Sequence, residues 1–309
     1  MTASVDILLV TCGDYNHLRK TIESIFYQDY KNWRLIIVND ATKDSRALDY
    51  MKSIHSIKNE IIIVDNQERI GLTKSLCNSE KLLVSKYIAR IDTGDIWEKR
   101  KISTQVDFME KHPNIHLLGT QVNFILDDMK IVGRSNYATN PIDIKKQILS
   151  VRGVYSHSTI IFKRNPLIYY DPLYYHSQDL DLYLKYIENG FEIANLSEPL
   201  SSTLYDFNGI SIKNKPLQIK CVNRAINNYF SRESGRRENR KPFKISNLET
   251  LLWQASSKFY LRYLKNSKSN IIKRFFFLGL SIVIYPPLLG IYKYRLVGMI
   301  NLVYKRVLI

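Results

Sequence analysis

The sequence predicts an α/β fold, a mostly parallel sheet flanked by helices, from three observations. Short β-branched runs alternate with longer amphipathic stretches through the first half of the chain. Each of the first four runs ends in a polar, acid-bearing segment, and in parallel sheets ligands sit beyond the carboxyl ends of the strands. At 309 residues, 45% hydrophobic and 24% charged, the chain can bury a full core as one large domain or two small ones.

The elements follow in order. VDILLV (5–10) reads as a strand, followed by Leu18, Ile22, Ile25 and Phe26 at helical spacing. RLIIV (34–38) precedes a helix from about Ser45. EIIIV (60–64) precedes a helix over 72–84, and YIARI (87–91) precedes one over 102–111. Strand, helix, strand, helix implies βαβ crossovers with helices on both faces. Farther on, STIIF (158–162) and EIANL (192–196) read as strands with a helix over 179–189 between them. SRESGRRENRKPFK (231–244) reads as an exposed loop or linker.

The net charge of +16 is unevenly placed. Residues 211–309 carry 20 Lys/Arg against 3 Asp/Glu, a net of +17, so the first 210 hold 25 against 26, a net of −1. Such a basic third suits nucleic acid or a membrane face. Cys12, Cys77 and Cys221 lack metal-site spacing and read as reduced, cytosolic thiols. Of the six histidines only His112 and His116 stand at HxxxH spacing, with a proline between them and no further metal-ligating pattern, and no zinc site is expected. No signal peptide is expected either, because the apolar run at 5–10 is only six residues long.

The strand ends read Thr11-Cys-Gly-Asp14, Asn39-Asp40-Ala-Thr-Lys-Asp44, Asp65-Asn-Gln-Glu-Arg69-Ile-Gly71 and Asp92-Thr-Gly-Asp95. Asp and Thr also cap helices, and Thr-Gly between two acids makes a serviceable turn. Four such ends on one rim favour a site over four unrelated caps.

Six segments in order resemble the family 2 glycosyltransferases, inverting enzymes with a GT-A fold that use nucleotide-sugars. They are ILLVTCGDYNHLRKTIESIFYQDYKNWRLIIVNDATKD, RIGLTKSL, YIARIDTGDIW, STQVDFMEKHPNIHLLGT, HSTIIFKR and HSQDLDLYLKYIENGFEIANL, within residues 3–210. The resemblance implies a glycosyltransferase domain over 1–210, with its nucleotide-sugar-binding half at 1–98 and acceptor-side half at 99–210. It places Asp92 and Asp95 in the acidic motif that reaches a metal, Mn²⁺ or Mg²⁺, and the donor's ribose and phosphates. The usual third acid of that motif is Gly94 here, one ligand fewer.

Asp40 matches the acid that accepts a hydrogen bond from the nucleotide base, and Thr11 stands where the family lines that base. Asp44 reads as a helix cap. Arg69 and Gly71 sit where the family closes over the nucleotide, and Arg69 reads equally as a solvated loop residue. Inverting transfer needs a carboxylate to take the acceptor's proton. The family's Glu-Asp pair is Gln178-Asp179 here, which makes Asp179 the base, with Asp181 the runner-up or a structural acid. His157 reads equally as an acceptor contact or a hydrogen-bonded core histidine. Lys101 stands where relatives often carry Arg, four residues before Gln105, and LYDFNGIS (204–211) lacks a metal-ligating His.

The C-terminal third divides into a basic helical linker (211–266) and an apolar, basic segment (267–309). Eighteen uncharged residues, FFFLGLSIVIYPPLLGIY, lie between Arg274 and Lys293. A span wants about twenty apolar residues, and Pro286-Pro287 breaks a helix. The segment reads as a monotopic or re-entrant element on an anionic membrane surface, or as a helical hairpin packed on protein. Its aliphatic character argues against nucleic acid. The expected activity is transfer from a UDP-linked donor to a glycan or polyprenyl-diphosphate-linked acceptor. It would serve O-antigen, capsule or exopolysaccharide synthesis at the cytoplasmic face of the cell membrane. A nucleotidyltransferase would want a Gly-rich basic loop after the first strand, where CGDYNH stands; a non-catalytic relative binding donor or membrane is the other alternative.

Overall fold

The computed structural model describes residues 3–57, 60–150, 155–204, 215–240, 246–265 and 271–286. The chain divides into two units, one of residues 1–149 with 153–205 and one of 150–152 with 206–309.

In the first unit, β1 (Val5–Thr11), β2 (Trp33–Asn39), β3 (Ile61–Asp65) and β4 (Tyr87–Asp92) alternate with α1 (Tyr15–Phe26), α2 (Ser45–Ile57) and α3 (Leu72–Ser79). Then come β5 (Ile96–Trp97), α4 (Lys101–Lys111), β6 (Ile115–Ile125), β7 (Ile131–Arg134), α5 (Pro141–Leu149), β8 (Ile161–Lys163), α6 (Gln178–Glu188) and β9 (Glu192–Leu204). The sheet runs β3-β2-β1-β4-β8-β6-β9-β5, with β7 hairpinned onto β6. β1, β2, β3 and β4 are mutually parallel, as is β6 with β9. β8 runs antiparallel to both β4 and β6, and β5 antiparallel to β9. The sheet is therefore mixed, and the expected parallel order holds for β1 to β4.

Every residue of β1 is buried, as befits a central strand covered on both faces. Its one charge, Asp6, accepts from Val84 N at 2.7 Å, Ser85 N at 2.9 Å and Ser85 Oγ at 2.8 Å, and pairs with Arg34 at 2.8 Å. That anchor pulls the chain out of helix after a single 3₁₀ turn at Glu80–Leu82, so α3 stops short of the expected residue 84. Asp14 caps α1, accepting from Asn16 N and His17 N.

The strand expected at 158–162 begins only at Ile161. Thr159 directs both its N–H and its hydroxyl to Ser156 O, closing a 3₁₀ turn over His157–Thr159. β9 continues past the expected residue 196 to Leu204, shifting register against β6 around Gln121. Gly119 of β6 is fixed by close approach: a Cβ there would fall 2.3 Å from Tyr155 Cδ1 and 2.2 Å from Asn195 Oδ1. Gln105 Nε2 ties α4 to Leu118 O and Thr159 O, and Lys101 is buried with Nζ 3.6 Å from the Trp97 ring centroid.

The second unit contains α7 (Lys215–Glu233), α8 (Asn247–Lys265) and α9 (Ile271–Ile284). α7 runs into the stretch expected to be loop. Against each other, α8 and α9 set Trp253 and Tyr285 edge to face at 5.7 Å, and Ser256 donates to Ser281 O at 2.8 Å. α9 ends two residues before Pro286, consistent with a residue that cannot continue a helix. Phe276 and Val283 on α9 stay exposed, and no helix among the described residues is long and apolar enough to cross a membrane. Asp206, Pro287 and residues 288–309, with their expected apolar and basic groups, lie outside the described residues.

Candidate functional site

Register sets Thr11 beside Asn39, Asn39 beside Asp65 and Val10 beside Asp92, so the four acid-bearing strand ends share one rim. Asp40, 2% exposed, is saturated there. Its Oδ1 accepts from Ile70 N (2.9 Å), Asn66 Nδ2 (3.0 Å) and Ser75 Oγ (3.3 Å), and its Oδ2 from Gly71 N (2.9 Å). Asp40 thus holds the loop that carries Arg69 and Gly71. Gly71 has φ +88 and ψ 159, backbone space that is essentially glycine's alone. Arg69 Nη2 reaches Cys12 Sγ at 3.1 Å, which brings the third strand end over the first. Thr11 is buried, taking Asp40 N on its carbonyl and Gly13 N on its hydroxyl. Asp44 accepts from Tyr15 N and from Arg46, contacts that hold its carboxyl down at about 2; it caps, as expected.

Asp92 and Asp95 bracket a tight turn, with Asp95 N donating to Asp92 O at 3.0 Å and Gly94 at φ +98. This is the i+2 position that favours glycine. Asp95 turns inward. Its carboxylate accepts from Leu204 N (3.2 Å) and Thr203 Oγ1 (3.3 Å), and burial, then the Asp92 charge, push it up to about 7. Asp92 stays 39% exposed, its Oδ1 on Arg90 Nη2 at 2.5 Å. Among the described residues none donates a hydrogen bond to its Oδ2. Among the described residues no three His, Cys, Asp or Glu side chains are grouped to hold a metal. In the Asp92–Asp95 turn a divalent cation would find one open carboxylate oxygen, Asp92 Oδ2, a fit only if other ligands come from a bound diphosphate.

On the acceptor side, Asp179 opens α6. Its Oδ1 accepts from Leu180 N at 2.8 Å; burial raises its pKa, and the Asp92 charge raises it further. The two acids are close enough for the charge of one to act on the other. Asp181 is fully buried and paired with Lys185 Nζ at 2.8 Å, one turn along the same helix. His157 Nε2 meets Tyr170 OH at 2.9 Å, and burial, then the Arg90 charge, push the imidazole down to about 3. It is a neutral, hydrogen-bonded histidine close enough to Arg90 and Asp92 to feel both charges.

Three participants were not picked out from the sequence. Arg90 was legible in principle, since residues i and i+2 of a strand share a face and Asp92 follows at that spacing. Tyr170 and the Thr203 hydroxyl with the Leu204 N–H join the site through distant chain segments, and no local pattern announces them.

Residues 6–170 match the family described as Glycosyl transferase family 2. Putative glycosyltransferase EpsE of Bacillus subtilis (strain 168) is 30% identical over 201 residues, 62% of this chain and 70% of that protein. The Escherichia coli UDP-Glc:alpha-D-GlcNAc-diphosphoundecaprenol beta-1,3-glucosyltransferase WfaP is 26% identical over 193 residues, 62% of this chain and 73% of its own. Among solved structures, S. aureus TarS 1–349 in complex with UDP superposes with TM-score 0.54 at 15% identity, covering 94% of this chain and 91% of that one. Mannosyltransferase PcManGT from Pyrobaculum calidifontis, in complex with GDP-Man and Mn²⁺, gives 0.53 at 12%, covering 97% and 81%. At these identities the structural likeness is one of fold, the GT-A fold. With an acid-lined rim at the carboxyl ends of β1 to β4 and a family match over more than half its length, the chain belongs to glycosyl transferase family 2 and is a glycosyltransferase.

Proposed function

We propose that the chain transfers a sugar, with inversion, from a UDP-sugar to a glycan or polyprenyl-diphosphate-linked acceptor in surface-polysaccharide synthesis. The observation that carries this reading is Asp179: a partly open carboxylate at the start of α6, with proton affinity raised by burial and by the charge of Asp92. The acceptor hydroxyl oxygen attacks the anomeric carbon as the bond from that carbon to the phosphate oxygen breaks. Asp179 takes the hydroxyl proton, and UDP leaves with the bonding pair. No enzyme nucleophile is needed.

On this reading Arg69 and Gly71 close over the nucleotide on a loop pinned by Asp40, and Asp92 faces ribose and diphosphate. A Mn²⁺ or Mg²⁺ ion bound with the donor would take Asp92 Oδ2 and neutralise charge on the leaving diphosphate. His157 and Tyr170 flank the acceptor. UDP is supported by the TarS complexes with UDP and UDP-GlcNAc, and polysaccharide synthesis by WfaP and the Erwinia amylovora amylovoran biosynthesis protein AmsE. The exposed Phe276 and Val283, with the basic C-terminal third, support attachment to the cytoplasmic face of an anionic membrane.

The test is nucleotide release and product linkage with UDP-sugars and a synthetic polyprenyl-diphosphate sugar. A β-linked product from an α-linked donor, lost in Asp179→Asn, supports the reading. Donor binding without turnover on any acceptor would favour a non-catalytic relative, the alternative that Gly94 and Gln178 suggest. For the membrane, truncation after about residue 266 should abolish co-sedimentation with anionic vesicles, and persistent sedimentation would place the anchor elsewhere.

A further inference from the structure

Arg90 lies inside β4 with none of its surface exposed, between Leu8 of β1 and Ile160, the residue just before β8. Arginine is almost never fully buried unless paired, and desolvating a guanidinium is costly. Its Nη1 donates to Leu8 O at 3.0 Å and to Ile91 O, and its Nη2 to Asp92 Oδ1 at 2.5 Å. Among the described residues Asp92 is its one carboxylate partner. A strand interior needs no cation for packing, so its return must lie in what it does to Asp92. With Gly94 in place of an acid and Asp95 turned onto Thr203 and Leu204, Asp92 Oδ2 is the one carboxylate oxygen this turn leaves open.

We infer that Arg90 is a positioning residue for the donor site: it clamps Asp92 by Oδ1 so that Oδ2 alone is presented to the donor's ribose and diphosphate, or to a cation bound with them. The inference rests on the UDP-sugar reading of the same site. Arg90 works through Asp92, so its contribution to donor affinity should vanish when Asp92 cannot respond.

The experiment is isothermal titration of UDP-GlcNAc, with and without Mn²⁺, into wild type, Arg90→Met, Arg90→Lys, Asp92→Asn and the double variant Arg90→Met/Asp92→Asn. Near-UV circular dichroism confirms folding, and steady-state kinetics separate KM from kcat. Arg90→Met should weaken binding about tenfold or more, which is about 1.4 kcal/mol, with KM rising more than kcat falls. Arg90→Lys keeps a charge but loses the fork that spans Asp92 and two carbonyls, so an intermediate loss of about threefold is expected. In the Asp92→Asn background Arg90→Met should change the dissociation constant by less than about twofold.

Wild-type affinity in a folded Arg90→Met, or equal losses with and without Asp92, would overturn the inference and leave Arg90 a purely structural ion pair. Should Arg90→Met fail to fold, Arg90→Lys decides, and a dissociation constant within about twofold of wild type overturns it. Wild type binding none of the UDP-, GDP-, dTDP- or CMP-sugars would overturn the nucleotide-sugar reading itself, and the inference with it.

Discussion

Asp40 and Asp179 are both carboxylates at the site, and the protein treats them in opposite ways. Asp40 is closed off by four donors from residues 66 to 75, and its capacity is spent on holding backbone. Asp179 accepts from the N–H of Leu180 next to it, no distant donor among the described residues closes it off, and its proton affinity is raised. A saturated acid fixes a loop; an undersatisfied one can exchange a proton. The same contrast recurs over two residues of α6, where Asp181 is spent on Lys185 while Asp179 is not.

The sharpest way to break the comparison is Asp179→Asn. It should cut transfer by about 10²–10⁴-fold, the range of a lost general base, and leave UDP-sugar affinity near wild type by titration. Retained turnover would remove Asp179 from the chemistry. Because the active form is the deprotonated one and its pKa is raised, kcat/KM should begin to fall, as the pH drops, above the roughly 3.9 of an ordinary aspartate. Asp40→Ala should do the reverse. It should cost about 3 kcal/mol of stability by urea unfolding, since buried donors lose their acceptor, and donor affinity should fall with the loosened loop.

A smaller effect sits between these regions. Glu80 Oε1 accepts from Tyr170 N at 2.6 Å, and burial pushes its carboxyl up to about 7, against the pull of that N–H and of Lys185. A raised acid contributes stability that is fully present below its unfolded value and is lost as pH rises through the folded one. Melting temperature should therefore decline from pH 5 to pH 8, and Glu80→Gln should flatten that slope. The smallest effect is expected of Gly71→Ala. A Cβ there meets nothing within 4 Å, so only the backbone strain of φ +88 and ψ 159 remains, about 1–3 kcal/mol. A larger loss would mean that the loop is held by more than Asp40.

The donor half was legible because its signals are local. β-branched runs announced β1 to β4, and the residues just after each run announced the rim. Asp44 as a cap, and Asp181 as a structural acid, could be read from helix position. The acceptor half was less legible because its determinants are distant in the chain. β5 is two residues long, β7 packs on β6 as a short hairpin, and the Ser-Glu-Pro at 197–199 hides the second half of β9. Asp95 read as an outward ligand because nothing near residue 95 shows that Thr203 and Leu204 will take its oxygens. Arg90 escaped notice inside an apolar run, where a single charge carries no periodicity.

Gly94 bears on how such a site can change over generations. At φ +98, with Leu204 Cδ2 only 3.3 Å from where a Cβ would stand, the position resists any side chain on two independent counts. An acid could be reinstated there only together with a smaller residue at 204 and a rearranged turn. One substitution alone would meet strain before it met a ligand. The glycine therefore biases what substitution can do: changes elsewhere can refine a turn that leaves one carboxylate oxygen open, while an acid at position 94 would first have to bear the strain of φ +98 and displace the Leu204 side chain.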